Sequence, residues 1–102
     1  MGLRIYLEGE RGEKIASVND PHHLLRKLIK EGDVSNMCCL RFIDPYGNTT
    51  FNRLQIPQFL MELEILHRFI KGTEQSALIS KIEEFAHRCA QEPHLYLKIY
   101  GD

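Results

Sequence analysis

The sequence predicts a single α+β domain over 1–102, with a mostly antiparallel five-stranded sheet and three helices on one face. Segments 3–7 and 95–99 alternate apolar and polar residues, and this period of two indicates strands with one buried face. Three other segments repeat apolar residues every three or four positions, as amphipathic helices do. In chain order the predicted elements are ββαββααβ.

A hairpin and a short helix are predicted at the start of the chain. Strands 3–7 and 14–18 flank a Gly-containing turn. Asp20 and Pro21 begin the first helix, because Asp accepts the free N–H groups of a first turn and Pro fits the first helical position. Gly32 is expected to end it. The exposed side of this helix is basic and carries Arg26, Lys27 and Lys30.

A second hairpin is predicted from strands at 37–43 and 49–55. Between them, residues 44–48 have the composition of a tight turn, in which Pro presets one dihedral and Gly or Asn accepts a positive φ. A four-residue loop would place Phe42 opposite Phe51, which is a favourable cross-strand pair. A three-residue loop with a bulge would shift the register by one residue and break that pair. We expect the first register.

Two helices and a strand are predicted in the remaining part of the chain. Pro57 begins the second helix and Gly72 ends it, whereas Thr73 caps the third helix and Pro93 stops it. The wide apolar face of the second helix comprises Phe59, Leu60, Leu63, Leu66, Phe69 and Ile70. The apolar face of the third comprises Leu78, Ile79, Ile82, Phe85, Ala86 and Cys89. The last strand and the first are both expected in the middle of the sheet, where they can be neighbours.

Composition argues against several classes of function, although it does not exclude a local basic patch. A net charge of -1 disfavours a general binder of nucleic-acid backbones, which needs an excess of Lys and Arg. Three cysteines, two of them adjacent, make a poor disulfide framework and favour a reducing, cytoplasmic compartment. The N-terminal residues lack the pattern of a signal peptide, and no apolar run approaches the ~20 residues of a membrane span.

No residue pattern predicts a catalytic, cofactor or metal site. Cys38 and Cys39 would point to opposite faces of a strand, and His22 and His23 would lie about 100° apart on a helix. Neither Cys-x-x-Cys nor His-x-x-x-His occurs. A small enzyme with a site near the 44–55 hairpin stays open as an alternative, because catalytic groups can converge from distant positions.

The outer face of the predicted sheet gives the best indication of function. Polar and aromatic side chains alternate with the apolar ones in the first and last strands, and further polar residues follow the second hairpin. The predicted partner-binding residues are Arg4, Tyr6, Asn52, Arg53, Tyr96, Lys98 and Tyr100. Because Tyr and Arg are enriched at protein interfaces, we expect a protein-interaction module, for example a bacterial immunity or inhibitor protein, or a homodimer formed through this face. The alternative is RNA or single-stranded nucleic acid stacked on the same tyrosines.

Overall fold

The computed structural model describes residues 2–101, which form four β-strands and three α-helices. The elements are β1 (Leu3–Gly9), β2 (Lys14–Asp20), α1 (Leu24–Gly32), β3 (Asn48–Phe51), α2 (Ile56–Leu66), α3 (Gly72–Gln91) and β4 (Leu95–Tyr100). Single 3₁₀ turns occur at Val34–Asn36, Leu40–Phe42 and His67–Phe69. The α+β class and the three helices are confirmed, but the order is ββαβααβ, with one strand fewer than predicted.

The four strands form one antiparallel sheet in the order β2-β1-β4-β3. The first and last strands are therefore central neighbours, as expected from their clean alternation. Their apolar residues meet across the ladder, with Ile5 opposite Ile99 and Leu7 opposite Leu97, and all four are fully buried. Burial of one such side chain stabilises the fold by about 1.5–3 kcal/mol, so this pair of strands is the centre of the core.

The helices cover the apolar face of the sheet. Helix α3 lies against β1, β2 and β4, and α1 and α2 pack against α3 and against each other. Phe51 on β3 reaches the ring of Phe59 on α2, with 5.1 Å between the ring centroids. The opposite face of the sheet retains partly exposed side chains, and this position makes it available for contacts with other molecules.

The strand predicted at 37–43 was wrong. This part of the chain contains a 3₁₀ turn at Leu40–Phe42, and no strand lies between α1 and β3 in the described residues. Consequently there is no second hairpin: β3 pairs with β4, and Phe51 lies opposite Leu97 rather than Phe42. Phe42 is 58% exposed, and the guanidinium of Arg41 lies 4.5 Å from its ring centroid.

A buried carboxylate explains why this segment is not a strand. Glu62 on α2 is 1% exposed and accepts hydrogen bonds from the N–H groups of Cys38 (2.7 Å), Cys39 (3.0 Å) and Leu40 (2.8 Å). The amide of Gln58 donates a further bond of 2.8 Å to the same carboxylate. Backbone donors that would otherwise need a neighbouring strand are thus satisfied by one side chain.

Burial by itself would raise the pKa of Glu62. The donors of Leu40, Gln58, Cys38 and Cys39 outweigh it and lower the pKa below its ordinary value of 4.5. The carboxylate is therefore charged at neutral pH, although it lies in the core.

The ends of the helices differ from prediction by a few residues. Asp20 does cap α1, but from the end of β2: its carboxylate accepts the N–H groups of Leu24 and Leu25, both at 2.8 Å. Helix α2 begins with Pro57 in its first turn, as predicted. Thr73 lies inside α3 and not at its cap, since α3 begins at Gly72. Among residues 2–101, none of the helices has the length and apolar composition of a membrane span.

Candidate interaction surface

The face of the sheet opposite the helices brings together five of the seven predicted partner-binding residues. In the β1–β4 ladder, Arg4 lies opposite Tyr100 and Tyr6 lies opposite Lys98. Tyr96 lies opposite Glu8 in the same ladder. With Lys14 of β2, these side chains form the surface that we call the outer face. Its members are Arg4, Tyr6, Glu8, Lys14, Tyr96, Lys98 and Tyr100.

Glu8 is the centre of the outer face. Its side chain is 1% exposed, although it points away from the helices, because other outer-face side chains close over it. The hydroxyl of Tyr100 donates to its Oε2 at 2.6 Å. The ammonium groups of Lys14 and Lys98 lie 3.6 and 3.4 Å from the carboxylate oxygens. Glu8 thus fixes one tyrosine and two lysines in place.

A bulge in the first hairpin brings Lys14 to this surface. The pairing of β1 with β2 shifts between Leu7 and Glu8, so that Lys14 lies opposite Glu8. A regular ladder would have continued the alternation set by Ala16, which faces the helices. The extra residue reverses the side and aims the lysine at Glu8, as bulges commonly do.

The phenol of Tyr100 is held in its neutral form by this arrangement. The hydrogen bond to Glu8 is the largest cause, followed by burial and by the charge of the carboxylate, and together they raise the pKa of Tyr100 to about 12. The guanidinium of Arg4 acts in the opposite direction but is outweighed. At neutral pH the hydroxyl therefore stays a donor to Glu8.

The rings of Tyr6 and Tyr100 are engaged with each other and with cations. Their centroids lie 5.3 Å apart in an edge-to-face arrangement. Lys14 lies 5.1 Å from the centroid of Tyr6 and 5.6 Å from that of Tyr100, and Arg4 lies 5.8 Å from Tyr100. Such contacts contribute about 0.5–1 kcal/mol each at exposed sites. The rings of Tyr6 and Tyr100 are therefore already packed against each other and against cations of the same chain.

Tyr96 differs from the other two tyrosines of the outer face. Within the described residues it forms no aromatic pair and lies under no cation. It lines a shallow depression of about 260 Å³ together with Thr50 and Lys98. Its half-buried ring is thus the aromatic group of this face with a free side.

Asn52 and Arg53 lie outside the strand ladder, because β3 ends at Phe51. The side-chain oxygen of Asn52 accepts the N–H groups of Leu54 (3.0 Å) and Gln55 (3.2 Å), and Gln55 accepts the N–H group of Asn52 at 2.9 Å. This reciprocal bonding builds the turn that leads into α2, and it gives Asn52 a structural role. Arg53 is exposed.

Two of the cysteines have raised pKa values. Burial, the charge of Glu62 and the neighbouring Cys38 raise the pKa of Cys39 to about 11, and burial raises the pKa of Cys89. Both thiols are buried and protonated at neutral pH, which makes them poor nucleophiles.

Glu64, His67 and Glu83 form a cluster that the sequence prediction missed. Their ligand atoms lie within 4.8 Å of one another, and His67 Nε2 is 2.8 Å from Glu83 Oε2. The three residues come from the end of α2, the turn after it and α3, so their proximity depends on how these elements pack. The side chain of His67 is 40% exposed, that of Glu64 is 76% exposed and that of Glu83 is 22% exposed, so the cluster is a surface hydrogen bond between His67 and Glu83 with a second carboxylate nearby.

Helix α2 also exposes apolar side chains on its outer side. Met61 is 64% and Ile65 is 43% exposed, and Leu54, just before the helix, is 79% exposed. Residues 61 and 65 are one turn apart and share a side of the helix. This apolar strip is distinct from the outer face of the sheet.

Comparison of the chain with protein-family models, with curated proteins and with solved structures found no match.

Proposed function

We propose that this chain is a protein-interaction module whose outer face binds an acidic surface of a partner protein. The observation that carries the proposal is the cluster of three cations, Arg4, Lys14 and Lys98, around two tyrosines on a sheet face that the helices leave uncovered. The cluster contains one carboxylate, that of Glu8, so the outer face has an excess of two positive charges on a chain whose net charge is -1.

Charge and ring geometry favour one of the possible occupants of this face. A second copy would bring two positively charged faces together, which disfavours self-association here. Bases need open ring faces for stacking, whereas Tyr6 and Tyr100 are packed on each other and beneath cations, which disfavours single-stranded nucleic acid. An acidic protein surface can pair with Arg4 and the lysines while Tyr96 supplies an aromatic contact.

The area of the outer face limits how large an interface it can form with a partner. Four strands about 4.8 Å apart and a length of about 20 Å for β4 give roughly 400 Å² for the whole face. A standard interface buries about 800 Å² on each partner. The outer face alone therefore suits a small, transient contact, and a tight inhibitor would need flanking loops as well. A bacterial immunity or inhibitor protein acting in the cytoplasm is one concrete form of this proposal.

The test compares three forms of the full chain as bait in a native lysate. The variant Arg4→Glu/Tyr96→Ala changes two outer-face residues that, within the described part of the chain, form neither a hydrogen bond nor an ion pair with Glu8. The control, Lys81→Glu, changes a charge on α3, where Lys81 pairs with Glu84 at the surface. We expect the same acidic protein to be retained by wild type and control and lost by the double variant, with retention falling as salt is raised.

The purified partner is then titrated into the isotope-labelled chain. Amide shifts confined to β1, β4 and their neighbours would support the proposal. Equal retention by the double variant, or shifts centred on the apolar strip of α2, would refute it. A mixed-sequence oligonucleotide is titrated in parallel, and binding that weakens steeply with salt would replace the proposal with the nucleic-acid alternative.

A further inference from the structure

A pocket of about 400 Å³ lies between α1 and the turn that precedes β3, and it has no part in the proposed function. Its apolar wall is formed by Ile29, Ile43 and Pro45. The volume falls in the range of about 300–1,000 Å³ that is typical of sites for small molecules.

Three cations line the same pocket. Arg26, Lys27 and Lys30 are exposed, and Lys30 follows Arg26 by four residues and Lys27 by three, so it neighbours both on the surface of α1. Among residues 2–101, none of them has a carboxylate within 4 Å. Like charges on neighbouring turns of a helix destabilise it, so α1 bears a cost that a bound anion would offset. The guanidinium of Arg26 also lies 5.7 Å from the ring centroid of Tyr46, the residue after Pro45 in the turn.

His23 supplies a second, independent observation at this site. It lines the pocket and has a left-handed backbone conformation, with φ 57°. Its Nδ1 is buried and has no hydrogen-bond partner among the described residues. Buried polar atoms in native proteins are nearly always paired, so this nitrogen calls for a partner that the described residues do not supply, such as water or a ligand.

We infer that this pocket binds a small molecule that carries a phosphate or carboxylate group on an aromatic or other apolar body. The apolar wall accommodates the body, and the unpaired cations of α1 bind the anionic group. The apolar wall and the three cations line the same pocket, and a ligand with both an apolar body and an anionic group would contact both.

The experiment is a titration of the isotope-labelled chain followed by amide shifts. Four probes separate the two parts of the site: phenyl phosphate, phenylacetate, inorganic phosphate and phenol. We expect phenyl phosphate or phenylacetate to shift the amides of 23–30 and 43–46, and the stronger of the two identifies the anionic group. Inorganic phosphate and phenol each lack one half of the ligand and are expected to bind at least about tenfold more weakly.

Two variants complete the test. Arg26→Ala/Lys30→Ala removes exposed cations from the pocket and is expected to weaken the better probe by at least about tenfold. Lys81→Ala removes one exposed cation from α3 and is expected to leave binding unchanged. Equal binding by the double variant, shifts spread over the whole surface, or inorganic phosphate binding as well as phenyl phosphate would each overturn the inference. Absence of any shift with millimolar phenyl phosphate and phenylacetate would overturn it as well.

Discussion

Replacement of Glu62 by Gln tests the account of the segment that was predicted as a strand. The substitution keeps the shape of the side chain but removes its charge and places an NH₂ group against backbone N–H donors. Three backbone hydrogen bonds, from Cys38, Cys39 and Leu40, depend on this carboxylate. The oxygen of Gln can still accept from Cys39 and Leu40, which both donate to Oε1 of Glu62. The N–H of Cys38 and the amide of Gln58, which donate to Oε2, lose their acceptor, and leaving a buried donor unpaired costs about 1–3 kcal/mol. We therefore expect a loss of about 3 kcal/mol in the free energy of unfolding.

A loss of that size is large for this chain. Domains have unfolding free energies of about 5–15 kcal/mol, and 3 kcal/mol lowers the Tm of a chain of this length by about 12 °C or more. Urea and thermal unfolding followed by circular dichroism measure the loss. Hydrogen exchange should show reduced protection of the three amides. The matched control is Glu64→Gln on the same helix, where the carboxylate is 76% exposed and the expected change is within about 0.5 kcal/mol.

The pH dependence of the free energy of unfolding, compared between wild type and Glu62→Gln, gives a second readout. Because the pKa of Glu62 is lowered from 4.5 in the folded chain, its stabilisation is complete above the unfolded-state pKa and is lost as the pH falls through the folded-state pKa. The difference between wild type and Glu62→Gln should therefore shrink as the pH falls below 4.5. An unfolding free energy of Glu62→Gln within 0.5 kcal/mol of wild type at pH 7, with the three amides still protected, would refute the reasoning.

Three further predictions follow from single buried groups. Asp20→Ala should cost about 1–2 kcal/mol in urea unfolding, because the first N–H groups of α1 lose their cap; an unchanged midpoint would contradict this role. Glu8→Ala should lower the pKa of Tyr100 from about 12 towards 10, seen as tyrosinate absorbance at lower pH, and a titration curve identical to wild type would show that the carboxylate does not hold the phenol. In native protein at pH 8, a thiol reagent should modify Cys38 alone, and all three cysteines should react in urea; rapid modification of more than one cysteine before unfolding would contradict the burial of the others.

Much of the fold could be predicted from local patterns. The alternation in β1 and β4 fixes which side chains face the helices, and it therefore also predicts that Arg4, Tyr6, Tyr96, Lys98 and Tyr100 share a face. The apolar periodicity locates α2 and α3, and Pro57 and Pro93 lie close to the predicted ends, whereas Gly72, the predicted end of the second helix, is the first residue of α3, because α2 ends at Leu66. These predictions succeed because each depends on residues that are neighbours in the chain.

The failures all depend on contacts between distant residues. The segment 37–43 is apolar enough for a strand, but Glu62, more than 20 residues away, takes its backbone donors. Lys14 reaches the outer face only through a bulge, which one strand cannot reveal without its partner. Lys14 was therefore not expected on the outer face, whereas the alternation of β1 does place Glu8 on the same side as Arg4 and Tyr6, although Glu8 was not among the predicted partner-binding residues.

The pocket beside α1 was also predictable only in part. The basic side of α1 was evident in the sequence, from Arg26, Lys27 and Lys30. That Ile43 and Pro45 lie beside it depends on the path of the segment that Glu62 holds. No local pattern in either segment indicates the other.

The sequence by itself determined the α+β class, the two central strands, the three helices and the polar composition of the outer face. All of these follow from periodicity and from capping residues, which act over one turn or one strand. The tertiary structure alone decided the number of strands, the pairing of β3 with β4, the Glu8 cluster and the pocket beside α1. Each of these depends on contacts between residues that are far apart in the sequence, and those contacts form only when the whole chain packs.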